Sequence, residues 1–236
     1  MSYIFISDLH LDESRPDVTE AFFSFIKNVA NRADGFYILA DLFEVWVGDD
    51  NDSELSQNVI SELKTLSVPR FIMHGNRDFL IGEAFCEQTG FTLLTDPTRV
   101  LFFDKPVLLM HGDSLCTLDI EYMKIRKMLR NPVFQNDLLS KSLEERMVIA
   151  SGARDRSKAH TRQSKMDIMD VTQEEVILEM QQHEVQLLIH GHTHRPDTHK
   201  VPEVLGHRAV LGDWDTKGWF IELTEDSFNL RSFPIS

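Results

Sequence analysis

Short apolar runs that end abruptly in polar, chemistry-bearing residues recur along this chain. Tyr3 to Ser7 is β-prone and leads straight into Asp8-Leu9-His10. Phe36-Tyr37-Ile38-Leu39-Ala40 runs into Asp41, and Arg70 to Met73 runs into His74-Gly75-Asn76-Arg77-Asp78. Val107 to Met110 precedes His111-Gly112-Asp113, and Val185 to Ile189 precedes His190-Gly191-His192-Thr193-His194. Continuous apolar runs of this length read as buried strands.

Between these runs the period turns helical. Pro16, Asp17 and Thr19 supply helix-start chemistry, and Phe22, Phe25, Ile26 and Val29 form one apolar face. Val59, Leu63 and Leu66 mark a second helix, and residues 79–86 read as a short third. Residues 91–104 read as a strand pair. From 117 to 165 the pattern is helical throughout. Tyr122, Ile125 and Leu129 share a face, Pro132 breaks it, and Leu139, Leu143, Met147 and Ala150 resume it. Thr172 and Glu175 have capping-box spacing for a helix through about residue 182. Residues 209–211, 219–223 and 228–233 close the chain as strands. Without repeats, linkers or low-complexity tracts, the pattern predicts one α/β domain over residues 1–236, with a helical insertion at about 117–165.

Charge narrows the function. The formal net charge of −14 argues against a general nucleic-acid binder, which needs an excess of Lys and Arg for phosphate contacts. The balance is uneven, because residues 120–165 hold 11 Lys and Arg against 5 Asp and Glu. A local basic patch on an acidic protein suits one anionic ligand, or is simply a solvated helical face. Two cysteines in unrelated contexts and no CxxC fit a reducing compartment. No signal-peptide pattern and no apolar span of roughly 18–20 residues occurs, so a cytoplasmic protein is expected, with peripheral membrane contact open.

The polar residues at the run ends make a set. Asp8 and His10, and again His192 and His194, are two apart and would face one way in extended backbone. With Asp41, Asn76 and His111 they offer carboxylates, imidazoles and an amide oxygen, and no thiolate. In open α/β sheets ligands bind at the carboxyl ends of strands. Seven such donors suit two ions sharing a bridging carboxylate, of manganese, iron or zinc type. Paired divalent ions activate water and neutralise phosphoryl charge, so phosphoester hydrolysis is the expected reaction class.

The series Asp8-x-His10, Asp41, Gly75-Asn76, His111-Gly112-Asp113 and Gly191-His192-Thr193-His194 resembles the calcineurin-like metallophosphoesterase superfamily. Ala40 departs from the glycine usual there, with only a local backbone adjustment expected. A narrower resemblance rests on Ser7-Asp8-Leu9-His10-Leu11, Asp41-Leu42-Phe43-Glu44-x-Trp46-x-Gly48-Asp49-Asp50, His74 to Gly82, Ile168-Met169-Asp170-Val171 and Leu211-Gly212-Asp213-Trp214. These stretches are similar to the UDP-2,3-diacylglucosamine diphosphatase family of bacterial lipid A synthesis, which also has Arg where this chain has Arg77.

The resemblance implies a two-sheet αββα sandwich whose helical insertion is a lid over acyl chains. It implies two Mn²⁺ ions, one on Asp8, His10, Asp41 and His194 and the other on Asp41, Asn76, His111 and His192. Asn76, Arg77, Asp119, Ser157, Thr161, Ser164 and His192 would contact a UDP-linked diacylated glucosamine. Thr161 and Ser164 stand where relatives often carry more basic side chains, with Lys158 or Lys165 near enough to compensate. Asp41, Asn76, Arg77 and His192 would carry the catalysis, and Asp113 would orient a ligand imidazole. The implied location is the cytoplasmic face of the inner membrane, without nucleic acid or an obligate protein partner. Another phosphodiesterase on the same scaffold, or a non-catalytic scaffold, are the alternatives.

Overall fold

The computed structural model describes residues 1–163 and 170–236, the side chains of residues 155–163 excepted. The chain opens with β1 (Ser2–Ile6), α1 (Pro16–Asn28), β2 (Gly35–Ile38), α2 (Glu54–Leu63), β3 (Arg70–Met73), α3 (Glu83–Thr89) and β4 (Thr92–Leu94). A second run of strands starts with β5 (Thr98–Phe102) and β6 (Lys105–Leu109). The insertion follows as α4 (Ile120–Leu129), α5 (Pro132–Leu139) and α6 (Leu143–Gln163). The chain closes with α7 (Gln173–Gln182), β7 (Leu187–His190), β8 (Asp197–Val201), β9 (Gly206–Val210), β10 (Lys217–Thr224) and β11 (Phe228–Pro234).

Two sheets result, one of order β11-β10-β1-β2-β3-β4 and one of order β5-β6-β7-β9-β8. Alternation along the strands builds the layers, because successive side chains leave opposite faces. Phe5 points into an apolar layer between the sheets, with Tyr37, Met73, Val107, Leu109, Ile189 and Ile221. Its neighbours Ile4 and Ile6 point the other way and pack under α1 and α2 with Phe22, Phe25, Val59 and Leu63. On the far sheet Leu108 and Leu188 face outward onto Val176 and Met180 of α7. This is the expected αββα sandwich.

The strands that precede the polar residues are parallel, β1-β2-β3 in one sheet and β6-β7 in the other. All their carboxyl ends therefore open toward one edge of the sandwich, where the insertion also sits.

Three local readings differ from the sequence pattern. Residues 91–104 hold two strands, but β4 joins β3 and β5 joins β6, so they belong to different sheets. Thr172 precedes α7 without capping it, because its hydroxyl pairs with that of Thr117 at 2.7 Å. The third helix starts at Glu83, later than expected, where Asp49 accepts the Gly82 and Phe85 amides at 3.0 and 2.9 Å. Apolar content alone cannot register these competing partners.

Phe25 anchors the α1 side, 3% exposed and ringed by Phe36, Trp214, Phe220 and Phe233 at centroid separations of 5.2 to 6.4 Å. Phe25→Ala should cost about 3–5 kcal/mol, read as a lower urea midpoint. A change below about 1 kcal/mol would show that this cluster is not a core.

Candidate active site

The ladder between β1 and β2 continues past the strand ends on unusual backbone. The Asp8 amide donates to Ala40 O at 3.2 Å, the His10 amide to Asp41 O at 3.1 Å, and Leu11 bridges to Phe43. Asp8, His10, Ala40 and Asp41 all have positive φ, between 50° and 82°, as do His192 and His194 at 66° and 54°. Non-glycine residues enter this region at a cost and do so mainly where function demands a particular side-chain aim. Ala40 does not relax out of the glycine-type conformation; it holds it, at φ 82°.

Two glycines let the carboxylates in. A Cβ on Gly75 would lie 1.8 Å from Asp41 Oδ1, and one on Gly191 would lie 2.1 Å from Asp8 Oδ2. Asp78, fully buried, stitches the same loops by accepting the amides of Leu42 and Gly75, both at 2.8 Å, and of Asp41 at 3.3 Å.

The predicted donors converge. Ligand atoms of Asp8, His10 and His194 lie within 4.8 Å of one another, and so do those of Asp8, Asp41 and His111. His10 Nε2 is 3.2 Å from His194 Nε2. Asn76 Oδ1 is 3.1 Å from His111 Nε2, and the His111 and His192 rings stack edge-on at 4.8 Å. Among the described residues buried His111 Nδ1 has no hydrogen-bond partner, and Asp8 Oδ1 meets only the edges of the His194 and His10 rings, at 3.4 and 4.0 Å. A set of close, buried, lone-pair donors with an orphaned atom fits divalent cations. The carboxylate common to both triads is Asp8, while Asp41 stands beside His111 with Oδ2 3.8 Å from Nε2.

The imidazoles divide into two pairs. His10 Nδ1 faces Glu44 Oε2 at 3.1 Å and His194 Nδ1 faces Asp213 Oδ2 at 3.5 Å, which aims both Nε2 atoms at the cluster. Burial opposes protonation of His10, but the Glu44 hydrogen bond and the charges of Asp41 and Asp8 raise it. For His194, burial is outweighed by hydrogen bonds to Asp213 and Asp8, which raise it to about 10. Burial instead pushes His111 down to about 3 and lowers His192. Burial would raise Asp8, yet His194, His111 and His10 hold it well below the usual carboxylate range. Burial pushes Asp41 up to about 7.

Sequence reasoning did not single out Glu44, Asp213 or Asp78 for these tasks; their only signal was their place in the longer motifs. It assigned imidazole orientation to Asp113, which does other work. Asp113 lies 3.0 Å from Arg126 Nε and 3.6 Å from Arg130 Nη2, and accepts from Tyr122 Oη at 2.9 Å. Those arginines belong to the basic stretch read from the sequence as suiting an anionic ligand or as a solvated helical face; they are held by core carboxylates. His190 is also outside the cluster. It accepts from Arg208 at 3.1 Å and, donating through Nδ1 to Gly191 O at 2.8 Å, stays neutral with burial pushing it to about 3.

Arg77 donates its amide to Asp41 Oδ1 at 2.9 Å, and its side chain lines a cavity of about 250 Å³ over His10 and His194. Asp119 is buried at the start of α4, where it accepts the Tyr122 amide at 3.0 Å. Ser164 and Lys165 lie outside the described residues, as do the side chains of Ser157, Lys158 and Thr161.

A family model described as calcineurin-like phosphoesterase matches residues 1–196. The chain belongs to that family. Several relatives that match over nearly the whole chain share one name. A UDP-2,3-diacylglucosamine hydrolase of Pseudomonas fluorescens (strain SBW25) is 49% identical over 98% of this chain and 94% of its own. A protein of the same name from Pseudomonas paraeruginosa is 48% identical over all of both chains. A solved archaeal phosphodiesterase superposes at a TM-score of 0.53 and 13% identity, covering 99% of each chain, a likeness of fold alone. As a calcineurin-like phosphoesterase the chain is a metal-dependent hydrolase, and its donor cluster is where divalent ions fit.

Two outcomes follow from this geometry. Ala40→Gly should stabilise the fold by about 1 kcal/mol by relieving the positive φ, seen as a raised Tm; an unchanged or lowered Tm would mean the residue bears no strain. A divalent ion must displace protons from His10, His194 and Asp41, so its apparent affinity should rise between pH 6 and 9. Calorimetry in buffers of different ionisation enthalpy should show proton release; pH-independent binding would remove these groups from the ligand set.

Proposed function

We propose that this chain hydrolyses the pyrophosphate of UDP-2,3-diacylglucosamine to UMP and 2,3-diacylglucosamine 1-phosphate, a step of lipid A biosynthesis. The observation that carries the reading is the donor cluster at the shared edge of both sheets, under an insertion with apolar surface. The names of full-length relatives at 48–49% identity support the same substrate.

Asp8, His10, Asp41 and His194 would hold one ion, and Asp41, Asn76, His111 and His192 the other, with Asp41 bridging. Carboxylate, imidazole and amide donors without thiolate suit Mn²⁺, with Fe or Zn²⁺ as substitutes. Bound there, such ions activate water and neutralise charge on phosphoryl oxygens. The chain does the rest. Glu44 and Asp213 keep the His10 and His194 rings aimed. Arg77, beside the cluster and at the cavity wall, supplies fixed positive charge to the phosphates. With Arg77, the residues Asn76, Asp119, Ser157, Thr161, Ser164 and His192 would contact the substrate.

The lipid end has a matching surface. A cavity of about 280 Å³ lies between α6 and the 43–56 segment, lined in part by Phe43, Val45, Val47, Leu55 and Met147. Outside it, Leu118, Ile120, Val133 and Val148 are more than half exposed, near exposed Lys124 and Lys127. Among the described residues no helix is long and apolar enough to cross a membrane. Apolar side chains with lysines suit peripheral contact with the anionic cytoplasmic face of the inner membrane.

The test is turnover by metal-stripped protein with and without added Mn²⁺, on UDP-2,3-diacylglucosamine and on a simple aryl phosphodiester. Mn²⁺-dependent release of UMP, with little action on the aryl ester, is expected. Turnover of the aryl ester alone would leave a phosphodiesterase and discard the lipid substrate, and turnover unaffected by metal removal would discard the dinuclear centre.

A further inference from the structure

The insertion touches the candidate metal centre at the His192 ring, through Tyr122 of α4 at 5.2 Å, and at Glu44. The Glu44 carboxylate is 12% exposed and meets one imidazole and two guanidinium groups from three segments. His10 Nδ1, from the loop after β1, is 3.1 Å from Oε2. Arg154 Nε, from α6, is 2.8 Å from Oε1, and Arg77 Nη1, from the loop after β3, is 3.9 Å from the same oxygen. Together they hold Glu44 down to about 2 against the upward push of burial, with the His10 hydrogen bond the largest of the opposing contributions. Arg154 also donates to Asp12 Oδ2 at 3.3 Å. It lines both cavities beside the site, the one under α6 and the one over His10 and His194.

Arg154 does not act alone in seating α6. Eight residues earlier, about 12 Å along the helix, Arg146 is 4% exposed. It donates to Val47 O at 2.5 Å and forks onto the Asp50 carboxylate. Arg146 therefore fastens α6 to the 43–50 segment by a route that leaves the metal ligands untouched. Arg154 fastens the next stretch of the same helix to a carboxylate that orients one. Two clamps from one helix onto one segment would be redundant if seating were the whole task.

We propose that Arg154 is a positioning residue. By seating α6 on Glu44 it holds that carboxylate where it can orient His10 and steady Arg77, so the centre is fully formed only when the insertion is docked. The inference rests on His10 being a metal ligand, as proposed above. Without Arg154, Glu44 keeps His10 and the more distant Arg77 but loses the shortest of its three contacts, so the aim of the ring is less tightly fixed. Outer carboxylates of ligand histidines are typically worth 10- to 100-fold in metal affinity or activity.

The test uses Mn²⁺ titration of metal-stripped full-length protein by calorimetry, together with steady-state kinetics. Arg154→Ala should weaken Mn²⁺ binding by about 10-fold and lower kcat by a similar factor, with KM changing less. Arg154→Lys, able to keep one contact, should recover part of both. Combining Arg154→Ala with Glu44→Gln should cost less than the two changes summed, since they break one chain. Arg146→Ala should lower thermal stability more than Mn²⁺ affinity. Unchanged Mn²⁺ affinity in Arg154→Ala, a rise in KM alone, or strict additivity with Glu44→Gln would each overturn the proposal. If Arg154→Ala does not fold, Arg154→Lys and Arg154→Gln carry the same comparison. Metal binding is read without substrate, so a wrong substrate assignment would show as absent turnover with the Mn²⁺ effect intact.

Discussion

Asp8, Asp41, Asp78 and Asp113 are all but removed from water at one edge of the sandwich. Burying like charges is among the most expensive things a fold can do unless each is compensated. The compensation differs at each. Asp78 is satisfied by backbone amides of two loops and becomes the stitch that shapes them. Asp113 is neutralised by Arg126 and Arg130 of α4, which draws the insertion onto the sheet end. Asp8 and Asp41 have no arginine within ion-pair distance among the described residues; their neighbours are imidazoles. Asp8 accepts the Ser7 hydroxyl and the His192 amide, and Asp41 the Arg77 amide, but the charged groups nearest them are titratable rings, which is what a cation site looks like before its cation is counted.

The backbone carries the cost of the arrangement. Asp8, His10, Ala40, Asp41, His192 and His194 sit in the left-handed region. In a plain strand, neighbours two apart would project in register along a ladder. The left-handed steps instead swing both members of each pair off the strand ends toward a common point. The sandwich tolerates this because the strands feeding those residues are buried in the apolar layers, where packing holds the ends in place. Gly75 and Gly191 serve the same end, by omission of a side chain where a carboxylate must pass.

Much of this was legible in the sequence. A donor at the end of each buried strand needs only hydrophobic patterning and the rule that ligands gather at carboxyl ends, so Asp8, Asp41, Asn76, His111 and His192 could be grouped without coordinates. What patterning misses is partner choice. Nothing local distinguishes Glu44 from any other loop carboxylate, or shows that Asp113 would pair with Arg126 and Tyr122 and reach the imidazoles only through its charge. The same limit explains Thr172, whose capping spacing is real but whose hydroxyl finds Thr117 first, and β4 and β5, adjacent in sequence but parted between two sheets. Long-range pairings of this kind are decided by the packed layers.

The arginines of the insertion show how far that partner choice shapes function. A basic stretch opposite an anionic substrate invites the view that its charges greet the substrate. Arg126, Arg130, Arg146 and Arg154 all reach carboxylates of the protein itself, at Asp96, Asp113, Asp50, Asp12 and Glu44. The insertion is thus held to its own core by these ion pairs together with Leu138 and Phe134 of α5, which pack into the apolar layer under α1 and α2, while α4 buries no residue. The ion pairs of the insertion also end on segments that bear candidate metal donors, Asp12 and Glu44 beside Asp8, His10 and Asp41, and Asp113 beside His111, so its seating and the order of the proposed site share the same carboxylates.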